Sequence, residues 1–342
     1  MIQGTLVTLA VLMPLIAFFL LTDEMEEVGD GYTFADALVV TSLSLVRYTY
    51  LIFPIATLIG SLLGLGSLAS HSELVAMRAT GMSIGRILFA AMKAGTLLAL
   101  LAVIMGEVLA PRAEQAALQW RNEAKSDQVT MRTSQGFWAR DGESYISIRE
   151  ILPGAGLRDI TIFEVGTNHR LARITHAQRA NYTGGQWLLE GISRSRISEQ
   201  GVEAQPLDRT NWSSLLSPSL LRLVVLEPQA LAIWDLVRYV HHMTANGQDP
   251  GKYETELWSK VVQPFLILTM IFLSIPILFG SARSTGVGLA LFTGIMLGLV
   301  YYLISRTLVH FAILYGIGAW VAAILPPLLF ALGGIWFLRR VS

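Results

Sequence analysis

Residues that could carry catalysis are few in this sequence. It contains no cysteine, which excludes thiolate nucleophiles, thiolate metal sites and disulfides. Gly251-Lys252 lacks both the earlier glycine and the following hydroxyl residue of a phosphate-binding loop, so the chain itself is not expected to hydrolyse ATP. The adjacent His241 and His242 point to different faces of a helix, which disfavours a shared metal ion. We therefore expect a protein without a catalytic or metal site.

The segment from Ser70 to Gly81 has the signals of a short helix between two apolar stretches. Ser70 with Glu73 three residues later predicts a capping box, and Gly81 suits the left-handed conformation that ends a helix. We therefore expect a helix within residues 71–81. One of its faces carries, at i, i+3 and i+4 spacing, Leu74, Met77 and Arg78. Such a helix is either a docking knob for a cytosolic protein or an ordinary helix at the membrane surface.

Six long apolar segments account for most of the remaining sequence. Of the 342 residues, 53% are hydrophobic and 15% are charged, whereas an ordinary soluble domain has about 25% charged residues. A membrane-spanning helix needs about 20 mainly apolar residues. The predicted spans are Ile2–Thr22, Tyr48–Ser70, Ile87–Gly106, Val261–Ala282, Ser284–Ser305 and Phe311–Leu338. Because the first span begins at residue 2, we expect a short cytoplasmic segment to be missing before it.

Basic residues in the short loops predict how the spans are oriented. Those that we assign to the cytoplasmic side are Arg78, Arg86, Arg283, Arg339 and Arg340. The first loop is acidic instead, and it includes Glu24, Glu26 and Glu27. We therefore expect both termini in the cytoplasm and the polar middle of the chain outside. Arg306 and His310, placed between spans five and six, run against the rule.

The polar middle of the chain has the pattern of a helix followed by short strands. Residues Pro111–Lys125 are expected to continue the third span as a polar helix, and Gln229–Met243 to form another helix before span four. The predicted strands are Phe137–Arg140, Ser144–Arg149, Asp159–Val165, Arg170–Ala177, Trp187–Leu189 and Ser193–Ser198. Turn residues such as Gly142, Gly154 and Gly184 separate them, and this spacing favours a β-sandwich or jelly roll.

These features predict a membrane α-helical bundle of six transmembrane helices with an inserted all-β, jelly-roll-like domain. We divide the chain into residues 1–110 with the first three spans, 111–252 with the β domain and its flanking helices, and 253–342 with the last three spans. The formal net charge is zero, so no excess of basic charge indicates nucleic acid as a partner.

A few residues in the spans have the pattern of packing positions. Close approach of helices is predicted by two small-xxx-small pairs, Gly60 with Gly64 and Gly294 with Gly298. Glu107 lies near the outer end of span three, where a carboxylate is costly unless it is paired. We expect it to pair with Arg112 or with another subunit.

Three stretches of the sequence carry a family resemblance. The first is residues 65–83, LGSLASHSELVAMRATGMS. The second runs from GQDPGKY at 247–253 to Trp258-Ser259-Lys260 and Gln263-Pro264, and the third is FGSARS at 279–284. Together they resemble the LptF/LptG family of lipopolysaccharide-export permeases over essentially the whole chain. The S-E-L-V-x-M run and the Trp-Ser-Lys triplet look more like the G-type subunit than the F-type.

The resemblance implies a non-catalytic permease subunit of an ATP-driven lipopolysaccharide extractor in the bacterial inner membrane. The implied partners are an F-type permease subunit (LptF), a cytosolic ATPase dimer (LptB) and a periplasmic bridge protein with a membrane anchor (LptC). ATP and Mg²⁺ would bind the ATPase, and this chain would hold no cofactor. Carried onto this sequence, the ATPase-coupling role falls on Glu73, Leu74, Met77, Arg78 and Gly81.

The resemblance also implies a lipid cavity lined mainly by spans one, two and five. Lipid A carries acyl chains and phosphates, so we expect Arg47 and Arg306 to bind phosphate near the outer rim, the alternative being that both snorkel to the interface. The expected apolar wall is Phe18, Phe19, Ile52, Phe53, Leu299, Tyr301 and Tyr302. Where some family members have lysines after span one, this sequence has Glu24, Glu26 and Glu27, which implies either divalent cations that bridge to lipid A or a basic partner.

Two other functions stay open at the level of the sequence. An ABC permease for lipoproteins or another envelope lipid would share the short cytoplasmic helix. A membrane sensor or scaffold with an outer β domain would usually carry a cytoplasmic signalling module, and here the longest inside segment is the turn near Glu73. Copurification with an ATPase would separate transport from scaffolding, and the identity of the bound lipid would separate the permeases.

Overall fold

The computed structural model of the chain shows a helical bundle and an antiparallel sheet. It describes residues 1–29, 31–124, 131–141, 144–152, 156–165, 170–183, 186–198, 201–212, 228–281 and 286–341. Lys125, Arg283 and the predicted turn residues Gly142, Gly154 and Gly184 lie outside the described residues. Within the described part of the chain, six helices are long and apolar enough to cross a membrane, as the apolar segments predict.

The helices follow the predicted order along the chain. They are α1 (Ile2–Met25), α2 (Phe34–Ser70), α3 (Glu73–Ala79), α4 (Ile84–Ile104), α5 (Ala110–Ala124), α6 (Ile233–Ala245), α7 (Gly251–Ser281), α8 (Gly286–Tyr315) and α9 (Ala319–Val341). A π-helical turn, Met105–Leu109, joins α4 to α5, and a 3₁₀ turn, Pro228–Ala230, precedes α6. The polar helix predicted after the third span is therefore confirmed as α5.

The boundary between the fifth and sixth spans differs from the prediction. Helix α8 continues to Tyr315, so Phe311 belongs to the fifth span and not to the sixth. Arg306 and His310 consequently lie inside α8 and not in a loop. The helix ends where Gly316 takes a φ of 65°, a left-handed conformation that glycine adopts without steric cost.

Helices α2 and α7 form the centre of the bundle. Helix α2 packs against α1, α5, α7 and α8, whereas α7 packs against α2, α4, α8 and α9. The 37 residues of α2 correspond to about 55 Å of helix, against a hydrocarbon core of about 30 Å. Its first half therefore continues beyond the membrane and packs there against α5, at the end of the bundle that leads to the sheet. We call this the sheet end, and the opposite end, next to Ser70, the α3 end.

Glycines permit the closest helix contacts, as their spacing predicts. A Cβ added to Gly64 of α2 would lie 2.5 Å from the backbone nitrogen of Met1, and one added to Gly60 would overlap the backbone of Thr5. Gly294 and Gly298 of α8 face side chains of α2 instead: a Cβ on Gly294 would overlap Leu62, and one on Gly298 would lie 3.2 Å from Ile55. Both glycine pairs therefore pack within this chain, holding α1 and α8 against α2.

The sheet contains six described strands that pair antiparallel in chain order. They are β1 (Met131–Asp141), β2 (Ser144–Leu152), β3 (Gly156–Val165), β4 (Leu171–Thr183), β5 (Gln186–Ser198) and β6 (Gly201–Trp212). The predicted strands Trp187–Leu189 and Ser193–Ser198 are two parts of β5, and β6 was not predicted. The described strands form a meander, without the Greek-key connections that a jelly roll requires.

A line of unusual backbone conformations crosses the sheet. The φ angle is 54° at Asp159 in β3 and 64° at Gly191 in β5. In β3 the buried residues Leu157 and Ile160 lie on either side of this line, and the alternation of buried and exposed residues changes phase there. The pairing register is unchanged across this line, so no residue is inserted there. Both parts of the strands bury their apolar side chains in one core, which includes Trp187.

Candidate functional site

The short helix α3 is present, but its caps differ from the prediction. Its N-cap is Ser72, with φ 60° and no side-chain hydrogen bond, and Ser70 is the last residue of α2, with its hydroxyl donating to the Ser67 carbonyl at 2.9 Å. The predicted capping box is therefore wrong, because α2 continues through Ser70. The predicted C-terminus is confirmed: Gly81 has φ 85°, and the amides of Gly81 and Met82 close a Schellman motif.

The residues that we placed on one face of α3 differ in burial. Leu74 is 4% exposed and belongs to the core of the bundle, with Met77 packed against the same core. Arg78 is exposed, and its guanidinium lies 6.0 Å from the ring centre of Phe279 in α7. Glu73 is exposed. Leu74 thus anchors α3 to the bundle, and the surface open to a docking protein is the side with Glu73.

At the sheet end, Arg47 is not presented at a rim. Its side chain is buried, and its Nε lies 3.3 Å from Oε2 of Glu114 in α5. Its guanidinium also lies 4.8 Å from the ring centre of Tyr48. The expectation that Arg47 binds a lipid phosphate therefore does not agree with its position, because α5 covers it and supplies a carboxylate.

The acidic segment at the C-terminal end of α1 is likewise engaged within the chain. Glu24 pairs with Arg121 of α5, and it accepts a hydrogen bond from the buried Tyr32 hydroxyl at 2.9 Å. Trp120 donates to Asp36, near the start of α2, at 3.0 Å. Burial, together with the hydrogen bond to the Glu24 carboxylate, raises the pKa of Tyr32 to about 12. These contacts fasten the sheet ends of α1 and α2 to α5.

A third polar contact lies deeper, and sequence reasoning missed it. Glu107, in the π-helical turn, lies 3.3 Å from Nζ of Lys260 in α7 and accepts a hydrogen bond from the Ile233 amide at 2.7 Å. It does not pair with Arg112 as we expected. Lys260 also donates to the Gly106 carbonyl at 3.1 Å. Lys260 is one of the few charged residues next to an apolar span, which is the signal that could have identified it.

A cavity of about 310 Å³ lies between α2, α7, α8 and α9. Three of the predicted lipid-binding residues line it, namely Tyr301, Tyr302 and Arg306, and the guanidinium of Arg306 lies 5.5 Å from the ring centre of Tyr302. Among its described lining residues, the other charged side chains are Lys252, Glu256 and Lys260. Its wall thus combines apolar and aromatic surface with more cations than carboxylates.

The charged groups Arg47, Glu107, Lys260 and Arg306 lie at one level of the bundle. Each is about 20 residues from the α3 end of its own helix, which corresponds to about 30 Å of helix, the thickness of the hydrocarbon core. This is the depth at which lipid headgroups meet the apolar chains. Of the two predicted phosphate partners, Arg306 therefore has both the depth and the access to a cavity.

The remaining predicted wall residues divide into exposed and buried ones. Phe18 and Phe19 of α1, and Leu299 and Tyr302 of α8, are exposed. Ile52 and Tyr301 are half-buried. Phe53, by contrast, is 1% exposed in the core of the bundle, so it cannot contact lipid in this conformation. Exposed apolar residues are thus left on α1 and on α8, which both pack against α2.

This fold defines a multi-pass membrane protein with a sheet inserted between its third and fourth spans and a short helix at the other end of the bundle. The family described as "Lipopolysaccharide export system permease LptF/LptG" matches residues 1–340. The chain is 33% identical to the lipopolysaccharide export system permease protein LptG of Escherichia coli (strain K12), over 98% of this chain and 95% of that protein. It is also 33% identical to the protein of the same name from Haemophilus influenzae, over 99% of this chain and 95% of that protein. The chain therefore belongs to the LptF/LptG family.

Proposed function

We propose that this chain is the G-type permease subunit of a lipopolysaccharide exporter. The observation that carries the proposal is the match to the family over residues 1–340, which includes the spans, α3 and the sheet. The relatives from Escherichia coli and Haemophilus influenzae are named as permease proteins of a lipopolysaccharide export system. In this proposal the chain has no catalytic site, and it moves lipid with energy from a separate ATPase.

The exposed apolar residues of α1 and α8 are the proposed place where lipopolysaccharide meets this subunit. Phe18, Phe19, Leu299 and Tyr302 supply exposed apolar contacts for acyl chains. Arg306 supplies a cation at headgroup depth, in a cavity that also holds Lys252. Divalent cations would bridge lipid A phosphates to the acidic segment at the C-terminal end of α1, where Glu24 is already held by Arg121.

The energy source in this proposal acts on α3. A cytosolic ATPase dimer (LptB), which binds ATP and Mg²⁺, would dock against the exposed side of α3 at Glu73. Because Leu74 anchors α3 in the bundle core, a push on this helix would move the spans around it. The cavity would narrow, and bound lipid would leave toward the sheet. Met77, Arg78 and Gly81 keep α3 in place, the last through the Schellman motif.

The other partners and the location are proposed on the same basis. An F-type permease (LptF) would complete the lipid cavity against the open α1 and α8 surface, and a membrane-anchored bridge protein (LptC) would receive lipid on the periplasmic side. The protein would lie in the bacterial inner membrane with both termini in the cytoplasm. We retain the division into residues 1–110, 111–252 and 253–342, and the jelly-roll character of the periplasmic domain, as predictions.

Native mass spectrometry of the copurified complex tests the lipid assignment. We expect lipopolysaccharide bound to the wild-type complex, and about tenfold less bound to Arg306→Gln, since a hydrogen-bonded charge pair is lost. Arg149→Gln on the sheet surface is the matched control and should bind like wild type. A different envelope lipid in the wild-type complex would indicate another class of permease, and equal binding by both variants would remove Arg306 from the site.

A further inference from the structure

Three parts of the chain meet at the carboxylate of Glu107. One is the π-helical turn Met105–Leu109, which contains it; the second is Lys260 in α7, and the third is the first amide of α6, at Ile233. One carboxylate oxygen lies 3.3 Å from Lys260 Nζ, and the other accepts the Ile233 N–H at 2.7 Å. We call this set the Glu107 junction.

The junction also reaches the central helix α2. Lys260 Nζ lies 5.2 Å from the ring centre of Tyr50, and Gln263 donates to the Tyr50 carbonyl at 3.0 Å. Gly106 makes room for this arrangement, because a Cβ there would overlap the Tyr50 ring. The π-helical turn thus brings spans two, three and four together at a single point, and such turns are frequent at functional sites.

The buried ion pair of the junction is expected to add little net stability. The side chains of Lys260 and Glu107 are 1% and 9% exposed. Taking two charges out of water offsets much of their attraction, and an apolar pair of similar volume often stabilises a protein as well or better. What the ion pair supplies in addition is a fixed geometry, since the same carboxylate also holds a backbone amide of a third element.

Both connections of the sheet to the bundle are held at this junction. The chain enters the sheet through α5, which begins at Ala110, directly after the π-helical turn, and it returns through α6, which begins at Ile233. We call α5 and α6 the two stalks of the sheet. Movement of the third span relative to the fourth would therefore change how the two stalks are held.

We propose that Glu107 is a positioning residue that transmits movement of the spans to the sheet through the two stalks. The proposal rests on the proposed function, because lipid export provides the movement. Glu107 does not touch lipid in this role. Loss of its contact with α6 uncouples the sheet from the bundle, so that ATP is still hydrolysed but less lipid is released for each ATP.

The contact with α6 can be removed without disturbing the ion pair. Ile233 is the first residue of α6, and its N-cap Ala232 has extended angles, φ −72° and ψ 159°. Proline is well tolerated at the first position of a helix and after an extended residue, and it lacks the N–H that Glu107 accepts. Ile233→Pro is therefore the test variant, and Ile233→Val, which keeps the amide, is its control.

The experiment uses the full complex, with pairs of spin labels in a chain that has no native cysteine. Spin labels are attached at Leu101→Cys on α4 and Asn181→Cys on β4. Pulsed electron paramagnetic resonance then measures the distance between bundle and sheet in two states, with ATP and with ADP–vanadate. In wild type and Ile233→Val we expect a nucleotide-dependent change in distance. In Ile233→Pro we expect no such change, normal ATPase activity, and about fivefold or more loss of lipopolysaccharide released per ATP.

A second variant guards against a failure of folding. Glu107→Leu/Lys260→Leu removes both charges of the pair together, and the neighbouring carboxylate of Glu256 keeps Arg306 and Arg47 as cations that act on it, so the variant should assemble. It also lacks the acceptor for Ile233. If the ion pair is only structural, this variant releases lipid like wild type, which overturns the proposal. Glu164→Leu/Arg173→Leu, an ion pair between β3 and β4, is the matched control and should release lipid normally.

The outcomes distinguish the junction from the proposed function. Wild-type complexes that release no lipopolysaccharide with ATP would overturn the proposed function itself. Wild-type release without any nucleotide-dependent change in distance would overturn the junction alone. A nucleotide-dependent change in Ile233→Pro equal to that in wild type would do the same.

Discussion

At the scale of single residues, the charges at the sheet end of the bundle serve chiefly to hold helices together. Arg47 with Glu114, Arg121 with Glu24, and Lys260 with Glu107 each join two helices that are distant in sequence. A buried charge that loses its partner costs about 3–5 kcal/mol, whereas an exposed pair contributes about 0–1 kcal/mol. Removing one partner of any of these ion pairs should therefore lower the stability of the protein before it affects any other property.

Arg47→Glu should accordingly destabilise the chain by about 3–5 kcal/mol, because two buried carboxylates then face each other. Exchanging the charges with Arg47→Glu/Glu114→Arg should restore most of that stability. Thermal unfolding in detergent measures both, and Arg149→Glu on the sheet, whose side chain is 71% exposed, should cost little. If Arg47→Glu is stable but binds less lipid, this account is contradicted, and Arg47 binds a lipid phosphate as the sequence predicts.

Tyr32 should give the wild-type protein a distinct dependence on alkaline pH. Its pKa is raised from 10.0 to about 12, so the neutral phenol is favoured in the folded state. The resulting stability is fully present below pH 10 and is lost as the pH rises toward 12. The difference in unfolding temperature between wild type and Tyr32→Phe should therefore shrink over that range, and a constant difference would contradict the buried, hydrogen-bonded position of Tyr32.

At the scale of elements, helix packing depends on which face of a helix carries glycine. In α9, a Cβ on Gly334 would lie 2.6 Å from Phe272 of α7, whereas a Cβ on Gly333 meets nothing within 4 Å. The two glycines are adjacent, yet only one of them is needed for close contact. They form a matched pair for a test of the bundle.

Gly334→Leu should lower stability by about 1–3 kcal/mol, because the added side chain forces α9 away from α7. Gly333→Leu should be neutral or slightly stabilising, since it points into open space and leucine favours the helix by a few tenths of a kcal/mol or more over glycine. Thermal unfolding of the two variants side by side checks this. Equal losses would show that α9 packs in a different rotation.

The elements that the sequence could predict are those with local signals. Apolar runs identify the six spans, and Gly81 identifies the end of α3, because both depend on residues close together in the chain. The predicted Ser70 cap is wrong because α2 continues through Ser70, whose hydroxyl donates back to the Ser67 carbonyl instead of capping α3. Glu107 and Ile233 are 126 residues apart, and no local pattern indicates that they meet.

At the scale of the whole molecule, the two ends of the bundle carry different structural features. The α3 end presents a short helix anchored by Leu74, with Glu73 exposed. The sheet end carries the long extensions of α2 and α5, the cavity with Arg306, and the Glu107 junction. An exporter of the proposed kind needs this polarity, because energy enters on one side of the membrane and lipid leaves on the other.

Accessibility labelling tests this polarity most directly, since the chain has no native cysteine. Single cysteines at Ala76→Cys on α3 and Asn181→Cys on β4, both exposed positions, are treated in intact cells with a membrane-impermeant maleimide. We expect Asn181→Cys to react in intact cells and Ala76→Cys to react only after the inner membrane is opened. Reaction of both cysteines under the same condition would place α3 and the sheet in one compartment and contradict the account.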